Sequence, residues 1–164
     1  MVRRIVRRVV ASQLTEVIVV VGLAASKVRQ AIEDLPVSVV ENPDYMSGQA
    51  SSVKTGLAAV SSTADAAMFV AVDQPYLSVA VIDALIACYA RTGGPIVVPT
   101  HGTRRGAPVL FDCRFFDELA EIEGDAGGRQ LFPHHLEEIV ELPLASPEPL
   151  EDIDSVDDLR RFGC

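Results

Sequence analysis

Residues 66–75 read Ala-Ala-Met-Phe-Val-Ala-Val-Asp-Gln-Pro, an apolar run that ends in a carboxylate, an amide and a proline. A strand without polar residues is normally covered on both faces, as in a parallel sheet flanked by helices. The segment therefore predicts a buried strand ending at Asp73, where Pro75 stops the hydrogen-bond ladder. Because ligands of open α/β sheets bind beyond the carboxyl ends of strands, Asp73 is a candidate site residue. A simple strand-end turn is the alternative interpretation.

Apolar strands and amphipathic helices alternate on both sides of this segment. Helices are predicted at residues 2–12, 26–34 (with Ser26 as N-cap), 51–60, 79–89, 113–121 and 127–132, and from about 155. Strands are predicted at residues 16–21, 37–40, 95–98, 108–111 and 139–142. This alternation predicts an α/β fold with a largely parallel sheet. No linker or repeat interrupts it, so residues 1–164 are expected to form a single domain.

Composition excludes several classes of function. A formal net charge of −9 over 164 residues argues against a nucleic-acid-binding surface. The three cysteines and three histidines have no metal-ligand spacing, which indicates a reducing compartment without a zinc site. The apolar stretch after the N-terminal arginines is too short to span a bilayer, so we expect a cytoplasmic protein without a membrane segment.

Three polar loops between the predicted elements are candidates for ligand contact. Residues 47–53 place small side chains before a helix, where free backbone N–H groups bind an anion or a base edge. Capping by Ser51 or Ser52 is the alternative. Residues 101–108 form a basic, Gly-rich loop suited either to phosphate recognition or to an exposed hairpin. Residues 124–129 are either a ligand-contacting loop or a helix start capped by Asp125.

Acidic residues cluster again near the C-terminal end, in Asp152-Ile153-Asp154-Ser155 and at 157–158. Taken alone, this pattern indicates the capped first turn of a helix. Together with Asp73, the cluster can also converge on one divalent cation, and oxygen-only ligation points to Mg²⁺ or a similar hard ion. Two carboxylates that hold Mg²⁺ against phosphates are a usual arrangement for nucleotidyl transfer.

Six segments occur in an order and spacing that resemble one family. They are EVIVVVG (16–22), NPDYMSGQASSVKTGL (42–57), FVAVDQP (69–75), PIVVPTHGTRRGAPVLF (95–111), GDAGGRQLF (124–132) and DIDSVDDL (152–159). On these segments the chain resembles MobA-like NTP transferases over essentially its whole length, and within them the molybdenum-cofactor cytidylyltransferase branch. The resemblance implies a Rossmann-like three-layer α/β/α fold of the nucleotide-diphospho-sugar-transferase type.

The resemblance also implies roles for individual residues. Asp73 and Asp154 would be the catalytic ligands of Mg²⁺, with Asp152 as the alternative to Asp154. The implied nucleotide-binding residues are Gly48, Ser51, Ser52 and Asp73. The implied acceptor-binding residues are Arg105, Gly106 and Pro108. A phosphorylated acceptor such as molybdopterin would attack the α-phosphate of CTP or another NTP and release pyrophosphate, with catalysis by positioning and charge neutralisation.

One part of the family pattern does not occur in this sequence. Relatives open with a strand and a loop of the type LAAGxSxRMGxxK, which cradles the triphosphate, whereas this chain begins Met1-Val2-Arg3-Arg4. We therefore expect an N-terminally truncated domain with impaired catalysis and exposed strand edges that favour homo-oligomers. A non-catalytic nucleotide- or partner-binding domain is the alternative function. No G-x-G-x-x-G follows a predicted strand, so a dinucleotide-dependent reductase has no motif support.

Overall fold

Helices and strands alternate along the chain, and the computed structural model describes residues 1–152. The α-helices within them are α1 (Val2–Val10), α2 (Ala25–Ile32), α3 (Gln49–Leu57), α4 (Val79–Thr92) and α5 (Phe116–Leu119). The strands are β1 (Ile18–Val21), β2 (Ser38–Glu41), β3 (Ala66–Phe69), β4 (Ile96–His101), β5 (Arg104–Arg105), β6 (Val109–Asp112) and β7 (Ile139–Pro143). Short 3₁₀ helices occupy Tyr45–Ser47, Cys113–Phe115, Gly127–His134, Leu136–Glu138 and Glu148–Leu150. None of the helices in this part of the chain has the length and apolar character needed to cross a membrane.

The strands form two sheets. β1 and β2 pair in parallel, and the larger sheet has the order β3-β6-β4-β5, with β7 parallel to β4. β6 runs antiparallel to both β3 and β4, so these two strands point the same way. The α/β class is confirmed, and the expected parallel pairing holds for β1–β2 and β4–β7. β5 and β6 depart from it because residues 102–103 turn the chain back beside β4, and so short a link forms only an antiparallel hairpin.

Helices cover both faces of the larger sheet. Ile96 and Val98 of β4 belong to a core shared with α3 and α5, whereas Val97 between them belongs to a core shared with α4. All three side chains are fully buried. Successive side chains of a strand point to opposite faces, so this alternation places one helical layer on each side of the sheet. The expected Rossmann-like α/β/α layering is therefore confirmed.

Helices α1 and α3 join the two sheets. Within residues 1–152, no ladder connects the β1–β2 pair to the sheet that contains β3. On one face, α3 packs against β1 and also contributes to the core around β4. On the other face, Ile5 and Val9 of α1 pack in a core with Leu77 and Ile82, which Val17 and Met68 flank. The position of the smaller sheet thus depends on side-chain packing.

Strand β3 ends earlier than the sequence predicts. It stops at Phe69, four residues before Asp73, and its side chains are half-buried. Phe69 pairs with Val109, the first residue of β6, and the preceding Pro108 has no N–H to extend the ladder. Because β3 lies at an edge of its sheet, it is also less covered than a central strand.

The predicted cap of α2 is wrong as well. Ala24, not Ser26, precedes the first turn of α2, and no side chain caps it. Ala24 adopts a positive φ of 58° at the end of the short turn that joins it to Gly22, and the helix starts at the next residue. The helix therefore begins one residue before Ser26, which lies inside its first turn.

His135 and two glutamates connect the segments that follow β6. His135 Nδ1 lies 2.8 Å from Oε1 of Glu138, and its Nε2 lies 2.8 Å from Oε2 of Glu118. The ring of Phe115 packs edge-on against the imidazole. The Glu138 hydrogen bond, followed by that of Glu118, raises the pKa of His135 above its ordinary value. The described residues 1–152 contain no group of three or more His, Cys, Asp or Glu side chains placed to hold a metal ion.

Candidate functional site

The turn that contains Asp73 is fixed to two other parts of the molecule. Gln74 is 1% exposed, and its Nε2 donates a hydrogen bond to the carbonyl oxygen of Ala107 at 3.1 Å. Arg8 of α1 donates to the carbonyl oxygens of Pro75 and Leu77 at 2.7 and 2.8 Å. Desolvation by burial, with the Arg4 charge nearby, lowers the pKa of Arg8. These contacts hold half-buried Asp73 at one edge of the larger sheet.

Sequence reasoning missed the role of Arg8. Only the spacing of Arg8 from Ile5 and Val9 distinguishes it in the sequence from the other N-terminal arginines. Arg8 stands one residue before buried Val9, and this boundary position carries its guanidinium to the turn after β3. The sequence signal for Arg8 was therefore its position beside the apolar face of α1.

The loop from Arg104 to Pro108 lies against the segment that leads to the C-terminal acidic cluster. Gly106 is buried, and an added Cβ would lie 2.4 Å from Leu150 Cδ2, so the Leu150 side chain would have to shift to admit any larger residue. Arg104 donates a hydrogen bond to the carbonyl oxygen of Leu150 at 2.8 Å. The Gly106 N–H donates to Pro99 at 2.9 Å, and the Ala107–Pro108 peptide is cis.

Arg105 extends from the same loop toward β7. Its Nε lies 2.8 Å from Oε1 of Glu141, and its guanidinium carbon lies 5.9 Å from the centre of the Phe132 ring. The Arg105 side chain is 34% exposed and that of Glu141 is 47% exposed. Ion pairs this open to water contribute little to stability, so Arg105 can exchange Glu141 for an anionic ligand at small cost.

These contacts bring three sequence-predicted segments together. Gln74 joins the Asp73 turn to Ala107, and Gly106 next to it packs against Leu150. Asp152 follows Leu150 by two residues and is exposed. Asp154, the expected second metal ligand, lies outside the described residues. The Asp73 turn, the Arg104–Pro108 loop and the segment that leads to the acidic cluster therefore meet at one side of the molecule.

A second cluster forms around Asn42, which the sequence analysis did not select. Its side chain is 2% exposed, and its Nδ2 donates to Ser51 Oγ at 2.8 Å and to Ser52 Oγ at 3.0 Å. Its Oδ1 accepts from the N–H of Asp44 at 2.9 Å. Asn42 thus fixes both serine hydroxyls that were predicted to meet a nucleotide. The only signal for it was its place directly after β2, at the carboxyl end of that strand.

The N-terminus of α3 differs from the expectation. The sequence predicted free N–H groups there, but the N–H of Ala50 donates to the Gly124 carbonyl at 2.9 Å, and that of Gln49 donates to Asp125 Oδ1 at 3.3 Å. Gly48 makes this approach possible: its φ is 112°, and a Cβ there would lie 2.6 Å from the Gly124 oxygen. Neither Ser51 nor Ser52 caps the helix. Asp125 does cap a helix, but α3 rather than its own.

A cavity of 440 Å³ lies beside this cap. Its lining residues come from the segment before α3, from α3 itself and from the loop after α5: Asp44, Ser47, Ala50, Ser51, Lys54, Ile122, Glu123 and Gly124. Lys54 supplies a positive charge, and Asp44 and Glu123 supply negative ones. The cavity therefore offers hydrogen-bonding groups of both kinds next to Ser51.

Comparison with known proteins identifies the family. The family model described as "MobA-like NTP transferase domain" matches residues 1–139. A protein named nicotine blue oxidoreductase from Paenarthrobacter nicotinovorans is 32% identical over 159 residues, covering 90% of this chain and 74% of its own.

Solved structures share the fold. Rv0371c from Mycobacterium tuberculosis H37Rv is 28% identical with a TM-score of 0.79, over 98% of this chain and 80% of that one. A second structure of Rv0371c is a complex with manganese. A nucleotidyl transferase from Methanothermobacter thermautotroptrophicus, 23% identical, shares the fold with a TM-score of 0.82 over 99% of this chain and 78% of its own. The chain therefore belongs to the family of MobA-like NTP transferase domains, a class of nucleotidyltransferases.

Proposed function

We propose that this chain transfers a nucleotidyl group, CMP from CTP in the first instance, to a phosphorylated acceptor such as molybdopterin. The observation that carries the proposal is the meeting of the Asp73 turn with the Arg104–Pro108 loop through Gln74 and Ala107. A carboxylate for a metal-bound triphosphate and a basic loop for a phosphorylated acceptor are then neighbours. Transfer of a nucleotidyl group requires the α-phosphate of the nucleotide and the phosphate of the acceptor to be held side by side.

The residues present fit a hard divalent cation. Asp73 offers carboxylate oxygens at the turn, and Mg²⁺ is commonly held by one or two carboxylates together with substrate phosphates. Asp154, or Asp152, is proposed as the second carboxylate. When bound, Mg²⁺ would neutralise charge on the triphosphate and its pyrophosphate leaving group. The similar protein Rv0371c has been solved as a complex with manganese, which supports a divalent cation as the metal of this chain.

The side chains of this chain would then act by holding the two substrates. Arg8 and Gln74 fix the backbone of the turn, so the Asp73 carboxylate keeps one position when phosphates arrive. Gly48, Ser51 and Ser52 are proposed to contact the nucleotide. The cavity beside Ser51 supports this role, and Asn42 holds both hydroxyls in place.

The acceptor would be held by the loop around Gly106. Arg105 can leave Glu141 and pair with the acceptor's phosphate, since bidentate guanidinium–phosphate pairs are stronger than an exposed ion pair. Gly106 and Pro108 would shape the loop by close packing, as the Leu150 contact of Gly106 indicates. Catalysis would arise from position and charge, with the attacking phosphate aligned to the α-phosphate.

The test measures pyrophosphate release and nucleotide binding together. The chain is supplied with Mg²⁺, with CTP, GTP or ATP, and with a panel of phosphorylated acceptors that includes molybdopterin. Asp73→Asn should lower kcat/KM on the order of 10²-fold, as expected when a group that stabilises charge in the transition state is lost. Asp117→Asn, which removes one exposed carboxylate from α5, is the matched control and should leave the rate unchanged. Equal rates in both variants would refute the role of Asp73.

Calorimetry with the magnesium nucleotides separates turnover from binding. Nucleotide binding without pyrophosphate release from any acceptor would support the alternative of a non-catalytic nucleotide-binding domain. The name of the Paenarthrobacter relative favours a second candidate, an oxidoreductase acting on nicotine blue. That candidate predicts a change in nicotine blue absorbance with NADH or NADPH, and it requires neither NTP nor Asp73.

A further inference from the structure

Gln74 is a buried residue that the proposed function uses only to fix the turn of Asp73. Its side chain is almost fully enclosed, and its Oε1 has no hydrogen-bond partner among the residues that the structure describes. A buried amide oxygen without a partner destabilises a protein, whereas an apolar side chain of similar size would not. Packing alone therefore does not explain an amide at this position.

The nitrogen of the same amide explains why a glutamine occupies this position. Gln74 Nε2 donates to the carbonyl of Ala107, which lies between Gly106 and the cis-linked Pro108. Asp73, on the proposed metal side, precedes Gln74 directly in the chain. One side chain thus connects the backbone of the turn that presents Asp73 to the backbone of the acceptor loop.

We infer that Gln74 is a positioning residue that sets the acceptor loop relative to the Asp73 turn, and so determines how well a phosphorylated acceptor is held. The inference rests on the proposed function. It assigns to Gln74 an effect on the acceptor that the neighbouring turn contacts do not have. Arg8 offers the comparison, because it holds Pro75 and Leu77 of the same turn but does not reach the loop.

The experiment compares Gln74→Leu with Arg8→Met in the full chain. Gln74→Leu should raise the KM for the phosphorylated acceptor about tenfold, as expected for one lost hydrogen bond. The KM for CTP should stay within about twofold. Arg8→Met should show no such preference for the acceptor over CTP. A Gln74→Leu variant whose two KM values change equally, or not at all, would overturn the inference while pyrophosphate release by the wild type leaves the proposed function standing.

Amide hydrogen exchange gives a readout that needs no turnover. The Gly106 N–H, bonded to Pro99, should exchange at least about tenfold faster in Gln74→Leu, and at the wild-type rate in Arg8→Met. If the wild type releases no pyrophosphate with any acceptor, the proposed function fails, and this measurement still decides whether Gln74 positions the loop. Unchanged exchange at Gly106 would refute that positioning. Should Gln74→Leu fold poorly, Gln74→Met replaces it, because a flexible thioether fills an irregular space.

Discussion

Substitution of Gly48 by alanine tests whether the N-terminus of α3 depends on close contact with the loop at Gly124. Gly48 has φ 112° and ψ 172°, a backbone region that essentially only glycine adopts without strain. An alanine Cβ would lie 2.6 Å from the Gly124 carbonyl oxygen and 2.7 Å from Asp125 Oδ1. Both atoms accept hydrogen bonds from the first N–H groups of α3, so displacing them also breaks the cap.

The magnitude follows from two contributions. A residue in a sparsely populated backbone region costs about 1–3 kcal/mol. Loss of two cap hydrogen bonds adds about 1 kcal/mol for each. Gly48→Ala should therefore lower the free energy of unfolding by about 3–5 kcal/mol, a large part of the roughly 5–15 kcal/mol that stabilises an ordinary domain.

Gly93→Ala is the matched control. Gly93 also has a positive φ, 61°, but an added Cβ there would meet nothing within 4 Å. It should therefore cost only the left-handed penalty, about 1–2 kcal/mol. Asp125→Ala, which removes the side-chain cap but not the Gly124 carbonyl, should cost about 1 kcal/mol. Urea unfolding followed by circular dichroism measures all three, and equal losses for Gly48→Ala and Gly93→Ala would refute the steric reasoning.

Two further predictions concern titratable groups. The hydrogen bonds to Glu138 and Glu118 raise the pKa of folded His135, so their stabilisation is complete below the unfolded pKa of about 6.5 and is lost as the pH rises through the folded value. In urea unfolding at pH 5.5–8.5, the advantage of the wild type over His135→Gln should therefore shrink with rising pH, and a constant difference would contradict this linkage. Burial and the hydrogen bond to Asp112 raise the pKa of Tyr89 to about 12. Tyr89→Phe should cost about 1 kcal/mol in unfolding free energy and remove the highest step from the tyrosine absorbance titration.

The sequence predicted features that depend on neighbouring residues. The apolar stripe of α1 and the run of β4 gave the correct element types because each is determined by side chains a few positions apart. The α/β class followed from their alternation. The same local reasoning selected Asp73 and the loop at residues 101–108 as candidates, since both stand where an apolar segment meets a polar one.

Features that depend on distant residues were not predictable in this way. The end of β3 is determined by Pro108, which directly precedes the partner strand β6 and which no pattern near Phe69 reveals. The first N–H groups of α3 looked free because their acceptor, Gly124, is remote in sequence. The contacts of Arg8 and Gln74 were missed for the same reason, because their partners are backbone carbonyls far away in the sequence.

The cap on α3 has a consequence for the order of folding. Asp125 lies 76 residues after Gln49, so the donors at the start of the helix cannot meet their native acceptors until most of the described chain has been made. During synthesis from the N-terminus, α3 must remain frayed at this end while β4, β6 and α5 are still emerging. Contacts between such distant residues close late, because the intervening chain must first lose its conformational freedom. The wall of the cavity beside Ser51 is therefore among the last parts of the domain to be assembled.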